Sequence, residues 1–237
     1  MSGAPATDAF KTAAAEAAVQ LVDDGMIVGL GSGSTATFAV NALGRRVREG
    51  LRITGIPTSE ATAQLARQVG IPVSSLACHD HVDMTIDGAD EVEADTLNLI
   101  KGHGGALLRE KIVASASKKL VIVVDESKIV SRLGSHFAVP LEVVPFGWQA
   151  TAKALRRLGA SPALRTLPGA DPFITDGGHY ILDCNFGPIS DPALLEEQLS
   201  MTIGVVEDGL FLGMTWRVFV GGEAGVRTMT PAALRGS

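Results

Sequence analysis

The chain predicts an α/β fold: a Rossmann-like, largely parallel sheet with helices on both faces, plus a smaller α+β unit of ferredoxin-like order. Three observations carry this prediction. Short apolar runs rich in Val, Ile and Leu alternate with helical patterns as far as about Leu133, which is the order of a parallel sheet with crossover helices. Two of those runs end in Gly or Asp and lead into glycine-rich loops, as strands do at the ligand-binding edge of such a sheet. After Leu133 the order becomes strand, helix, strand, strand, helix, the beginning of a split β-α-β unit.

The elements follow in order. Thr7 to Asp24 is alanine-rich and reads as a helix, and Met26 to Leu30 reads as a buried strand. A helical pattern covers Thr35 to about Val47, a strand Arg52 to Ile56, and a helix Glu60 to Val69. Val73 to Leu76 and Val82 to Ile86 read as short strands, Ala106 to Ser117 as a helix, and Leu120 to Val124 as a buried strand. In the second part, Phe137 to Val144, Ala163 to Leu167 and His179 to Cys184 read as strands, with helices at Gln149 to Leu158 and Pro192 to Ser200. Glu207 to Met214 and Trp216 to Val220 are expected to return to the first sheet. The expected division is therefore 1–133 with 207–237 as a catalytic domain, and 134–206 as a small α+β lid or oligomerisation domain.

One loop reads as an anion cradle. The strand Ile27-Val28-Gly29-Leu30 runs into Gly31-Ser32-Gly33-Ser34-Thr35 and then into a helix. Glycines permit close backbone approach. The helix start offers unpaired N–H groups with partial positive charge, and Ser32, Ser34 and Thr35 add hydroxyl donors. A Walker A loop is excluded, because no Lys follows the second glycine at the required place. Gly31 to Ala36 matches G-x-G-x-x-A formally, but the next strand ends in Pro57-Thr58-Ser59, without an acid for a ribose hydroxyl. A phosphate on a small metabolite is the better ligand.

A second cluster reads as proton-transfer equipment. Asp87-Gly88-Ala89-Asp90 ends the strand that begins at Val82, and Lys101-Gly102-His103-Gly104-Gly105 leads into a helix carrying Glu110. Glu110 is the candidate base, a carboxylate whose pKa burial and neighbours bring toward working pH. Lys101 is the preorganised positive partner for a developing oxyanion. Asp87 is assigned to proton transfer among substrate oxygens, including opening of a furanose ring. Asp90 is assigned to holding hydroxyls and orienting Lys101. The two roles are interchangeable between these aspartates.

These stretches together resemble the type A ribose-5-phosphate isomerases, over nearly the whole chain. The family's phosphate loop corresponds to Gly29 to Thr35, its Asp-Gly-Ala-Asp-Glu to Asp87 to Glu91, its Lys-Gly-Gly-Gly stretch to Lys101 to Lys111, and its Asp-x-Ser-Lys to Asp125 to Lys128. Pro140 to Pro145, Thr175-Asp176, Ile181 to Asp183 and Gly204 to Phe211 also fit. His103 departs from the pattern, which more often has glycine there. The resemblance implies interconversion of D-ribose 5-phosphate and D-ribulose 5-phosphate through an enediol or enediolate, without a cofactor, with Glu110 as base. It also implies phosphate contacts from Lys11 and Lys128 beside Ser32, Gly33, Ser34 and Thr35, substrate contacts at Gly102 and Gly104, and a homodimer or homotetramer. A non-catalytic sugar-phosphate sensor of related fold is the alternative; it would keep the cradle without needing Glu110.

Composition limits other classes. A net charge of −6 argues against a general nucleic-acid partner. No apolar run approaches the ~18 residues of a membrane span, and no charged stretch followed by an apolar core opens the chain as a secretory signal would. A cytoplasmic enzyme with two buried free thiols, Cys78 and Cys184, is expected. Cys78-His79-Asp80-His81-Val82-Asp83 holds metal-ligand types, but an extended segment sends neighbours to opposite faces, and no metal is expected.

Overall fold

A computed structural model describes residues 4–231; the outermost residues of the expected catalytic domain, 1–3 and 232–237, lie outside them. The elements in chain order are α1 (Ala4–Val19), β1 (Ile27–Leu30), α2 (Gly33–Arg48), β2 (Thr54–Pro57), α3 (Glu60–Gln68), β3 (Met84–Asp87), β4 (Glu91–Glu93), β5 (Leu99–Ile100) and α4 (Leu107–Ser115). They continue with β6 (Leu120–Asp125), β7 (Ile129–Val130), β8 (Val139–Val143), α5 (Trp148–Arg157), β9 (Ser161–Leu164), β10 (Tyr180–Asn185) and α6 (Pro192–Ser200). The last are β11 (Val205–Asp208), β12 (Leu210–Phe211), β13 (Thr215–Gly222) and β14 (Gly225–Met229). A 3-10 turn, Glu126–Lys128, joins β6 to β7.

The main sheet has the order β14-β13-β6-β3-β1-β2. Its strands are parallel except the edge strand β14. The central strand β6 is buried along its whole length, because both of its faces are covered. Val121 and Val123 pack in the cluster formed with α1, α2 and α3, while Leu120, Ile122 and Val124 pack with Ala114 of α4 and Phe211 of β12. A strand covered on both sides reads as a continuous apolar run rather than an alternation.

The winding reverses at β1, which has β2 on one side and β3 on the other. Crevices for ligands form at such a switch point, outside the carboxyl ends of the strands. Leu30 pairs with Ile86, and the Gly31 N–H donates to the Ile86 carbonyl at 3.0 Å. The cradle loop and Asp87 therefore leave the sheet side by side.

A second, antiparallel sheet has the order β11-β8-β10-β9, which completes the expected ferredoxin-like β-α-β-β-α-β unit. Val139, Leu141 and Val143 of β8 pack with Ala152 and Leu155 of α5 and Leu195 and Leu199 of α6. A third small sheet, β12-β5-β4-β7, lies between the other two and was not foreseen. Its strands are two or three residues long, too short to carry an alternating pattern.

Three expectations need correction. Val73 to Leu76 is not a strand; Val73 makes one bridge to Gly55 and the chain then turns. Glu207 to Met214 is not one strand returning to the main sheet. It breaks at Gly209, whose backbone passes so close to Lys101 that a Cβ there would stand 2.3 Å from the Lys101 carbonyl oxygen. β11 thus stays with the second sheet and β12 joins the third. Cys78 is exposed rather than buried, since it lies in the loop before β3; Cys184 is buried.

Glu91 is a fully buried carboxylate in β4. Its Oε1 accepts the N–H groups of His136 (2.6 Å) and Phe137 (2.8 Å), and its Oε2 accepts that of Gly134 (2.7 Å). It thereby fixes the turn that enters β8. The near-isosteric Glu91→Gln substitution replaces one acceptor oxygen by a donor and strands an N–H group. We expect it to cost about 1–3 kcal/mol of stability, read by chemical denaturation; an unchanged midpoint would mean that water takes over the contacts.

Candidate active site

Lys101 is 97% buried, counted as 3% exposed, and Asp87 and Glu110 are 1% and 3% exposed. The Lys101 ammonium donates to the Gly88 carbonyl at 2.6 Å and ion-pairs with Asp87 Oδ2 at 3.0 Å and Glu110 Oε2 at 3.3 Å. The Asp87 Oδ1 accepts the backbone N–H groups of Ser32 (3.2 Å) and Gly88 (2.7 Å). Glu110 Oε2, although close to Lys101, has no aligned hydrogen-bond donor. The chain sequence imposes this packing at Gly31, where a Cβ would stand 2.1 Å from Asp87 Oδ1. Only glycine lets the cradle strand pass the aspartate.

The electrostatics follow from burial with one cation for several acids. Burial pushes Glu110 up to about 8, with repulsion from Asp87 and Asp90 adding to it and Lys101 opposing it. Burial also raises Asp87, against the pull of Lys101 and the two backbone donors. For Lys101 burial works downward, but the charges of Asp87, Glu110 and Asp90 outweigh it and hold the ammonium protonated well above the usual lysine range.

Lys101 and Glu110 form one end of a cavity of about 250 Å³. Glu110, Lys101 and Asp90 line it, with Gly102 and Gly104 along one wall. The other end is lined by Ser32, Gly33, Ser34 and Thr35 at the start of α2, with Lys11 from α1 and Lys128 from the 3-10 turn. Gly33 opens the helix with φ of +88°, a conformation natural to glycine. No side chain caps α2, so its first N–H groups remain open to an anion.

The predicted residues thus converge, with two qualifications. Asp87 does not line the cavity but stands behind Lys101, and it, not Asp90, orients the ammonium. Asp90 instead uses Oδ2 to accept the His103 N–H at 3.0 Å, because it follows the turn at Gly88 and faces the glycine-rich loop. Ser32 gives its hydroxyl to a cluster with Thr58 Oγ1 (2.7 Å), Ser59 Oγ (2.8 Å) and Thr62 Oγ1 (3.2 Å), leaving the hydroxyls of Ser34 and Thr35 as the cradle's own.

Arg165 was missed from sequence. It donates from Nη1 to the carbonyls of Gly102 (2.8 Å) and His103 (3.0 Å) and ion-pairs with Asp183 of β10. It therefore clamps the glycine-rich loop from the second sheet. It lies just past β9, and its sequence signal was only that an opposite charge, Asp183, sits on the strand that pairs with β9. Among the described residues, no group of three or more His, Cys, Asp or Glu side chains is placed to hold a metal ion, and no helix is long and apolar enough to cross a membrane.

Comparison with known proteins places this geometry in a family. Residues 54–225 match the family model described as ribose 5-phosphate isomerase A (phosphoriboisomerase A). The chain is 60% identical over 226 residues to a ribose-5-phosphate isomerase A of Gloeobacter violaceus, covering 95% of this chain and 98% of the relative. It is 49% identical over 232 residues to that of Gluconobacter oxydans, covering 98% and 100%. Its structure superposes on ribose 5-phosphate isomerase A from Methanocaldococcus jannaschii with a TM-score of 0.90 at 43% identity, over 94% of this chain and 99% of that one. A D-ribose-5-phosphate isomerase in complex with phospho-erythronic acid gives 0.92 at 38% identity, with the same coverage. With a buried Lys101 between two carboxylates at one end of the cavity and an open helix start at the other, the chain belongs to the ribose 5-phosphate isomerase A family.

Proposed function

We propose that this chain interconverts D-ribose 5-phosphate and D-ribulose 5-phosphate without a cofactor, as an isomerase of the non-oxidative pentose phosphate pathway. The observation that carries the reading is Glu110 Oε2, buried, without a hydrogen-bond donor and 3.3 Å from the Lys101 ammonium. The phosphate rests on the start of α2 with Ser34, Thr35, Lys11 and Lys128, and the carbonyl end reaches Glu110 and Lys101. Glu110 takes the proton from C2 and returns it to C1; one carboxylate serves both because the carbons are adjacent. Charge that develops on the oxygen between these steps meets the fixed Lys101 ammonium. Lys101, which lines the cavity, gives a proton to one substrate oxygen and takes one from its neighbour, ending charged as it began, while Asp87 behind it holds the ammonium in place. Asp90 holds substrate hydroxyls. Binding of phospho-erythronic acid by a structural relative supports a site for a phosphorylated, oxygen-rich chain. A sensor would need no buried Glu110–Lys101–Asp87 cluster.

The reading extends to a cytoplasmic homodimer or homotetramer, with no nucleic-acid or membrane partner. We propose 1–133 with 207–237 as the catalytic unit and 134–206 as a smaller lid or oligomerisation unit, β11 straddling the seam. Phe146, Met201 and Ile203, exposed at 94, 80 and 93%, gather around one groove of the smaller unit, which supports its burial against a second copy.

Glu110→Gln should keep the fold and lose at least ~10²-fold in turnover; near-normal turnover would remove Glu110 from the mechanism. Since the free enzyme needs Glu110 ionised, kcat/KM should rise with pH and level off above about 8. The native state also binds that proton more tightly than the unfolded chain does. Stability from this group is therefore full below about 4.5 and is lost as pH rises to about 8. A flat rate profile between those values would contradict the assignment. Exhaustive chelation should leave turnover intact, and a loss restored by a divalent cation would revive a metal at Cys78 to Asp83.

A further inference from the structure

His103 is the one departure from the family pattern in the loop, and the reaction proposed above does not use its side chain. Its Nε2 lies 3.1 Å from the Ala138 carbonyl oxygen, so Nε2 carries the hydrogen and donates it. The imidazole stands edge-on to the Phe137 ring, with centroids 4.9 Å apart and planes at 71°. The same Phe137 ring holds the Lys128 ammonium 4.5 Å from its centroid. His103 and Lys128 line the cavity, and the Phe137 ring touches both. The backbones beneath the two rings are held by neighbouring acids: Asp90 accepts the His103 N–H, and Glu91 accepts that of Phe137. Two rings on two loops are thus locked at a fixed separation, next to a lysine at the phosphate end.

A lysine side chain free in solvent must give up much rotamer freedom when it meets an anion. An ammonium already stacked on an aromatic ring has lost part of that freedom beforehand, and the ring attracts it electrostatically. We propose that His103 is a positioning residue for the phosphate end: by bracing Phe137 it holds the Lys128 ammonium at the cavity and so sets the affinity for the phosphate group. This rests on the reading of the cavity as a sugar-phosphate site, and it deepens that reading by adding an affinity-setting stack.

The test is a coupling cycle on the intact chain. Calorimetric titration with inorganic phosphate, and steady-state kinetics with ribose 5-phosphate, are measured for wild type, His103→Ala, Phe137→Leu, Lys128→Ala and the two double variants with Lys128→Ala. His103→Ala and Phe137→Leu should each weaken phosphate binding about two- to fivefold, the size of an exposed cation–π contact, and raise KM by a similar factor, with the loss falling on KM rather than kcat. In the Lys128→Ala background neither should weaken phosphate binding further, because nothing is left to brace. Equal weakening in both backgrounds overturns the proposal, as does a loss confined to kcat. Should His103→Ala fail to fold, His103→Gly, the residue more usual in the family pattern at this position, takes its place in the cycle with the same expected and overturning results. Wild type that shows the coupling but does not turn over ribose 5-phosphate would refute the isomerase reading and leave the positioning role standing. Turnover without coupling would refute only the latter.

Discussion

Burying the Lys101 ammonium sets the terms for the packing around it. Ionised groups leave water at a large cost unless paired and hydrogen-bonded. Lys101 and Asp87 tolerate burial because they pair with each other, with the Gly88 carbonyl and two backbone N–H groups completing their contacts. One cation for two carboxylates in contact leaves an excess of negative charge, which the site relieves by holding a proton. Asp87 is fixed by Lys101 and two backbone donors, whereas Glu110 Oε2 has no aligned donor. Glu110 is therefore the least constrained carboxylate of the cluster, which is why the proposed mechanism assigns it the proton transfer.

The segment Asp87 to Glu91 assigns a different task to each of its three acids. Asp87 orients Lys101, Asp90 holds the glycine-rich loop through the His103 N–H, and Glu91 holds the turn before β8. The β3 end thus positions the buried Lys101 ammonium, one wall of the cavity and the entrance to the second sheet together. Arg165 closes the arrangement from the other side by gripping two carbonyls of the same loop.

Net charge and local charge diverge here. A chain of net charge −6 surrounds its cavity with Lys11, Lys101 and Lys128 and aims an uncapped helix start into it. The overall acidity bears on solubility and partners, while the anion responds to the groups within a few ångströms, where screening is weakest.

The amino-acid order already carried the alternation of strands and helices, the cradle at Gly31 to Thr35, and the cluster of Asp87, Lys101 and Glu110. Those signals are local: periodicity, glycine before a helix start, and ionisable residues at a strand end. It also held enough pattern to identify the family. Only the folded chain reveals which aspartate meets Lys101, where the Ser32 hydroxyl turns, that Arg165 grips the glycine-rich loop and Glu91 the turn before β8, and that β11 and β12 part at Gly209. The strands of the third sheet and the stack of His103, Phe137 and Lys128 join residues far apart in the chain. Their geometry is set by packing between sheets, and no local pattern records it.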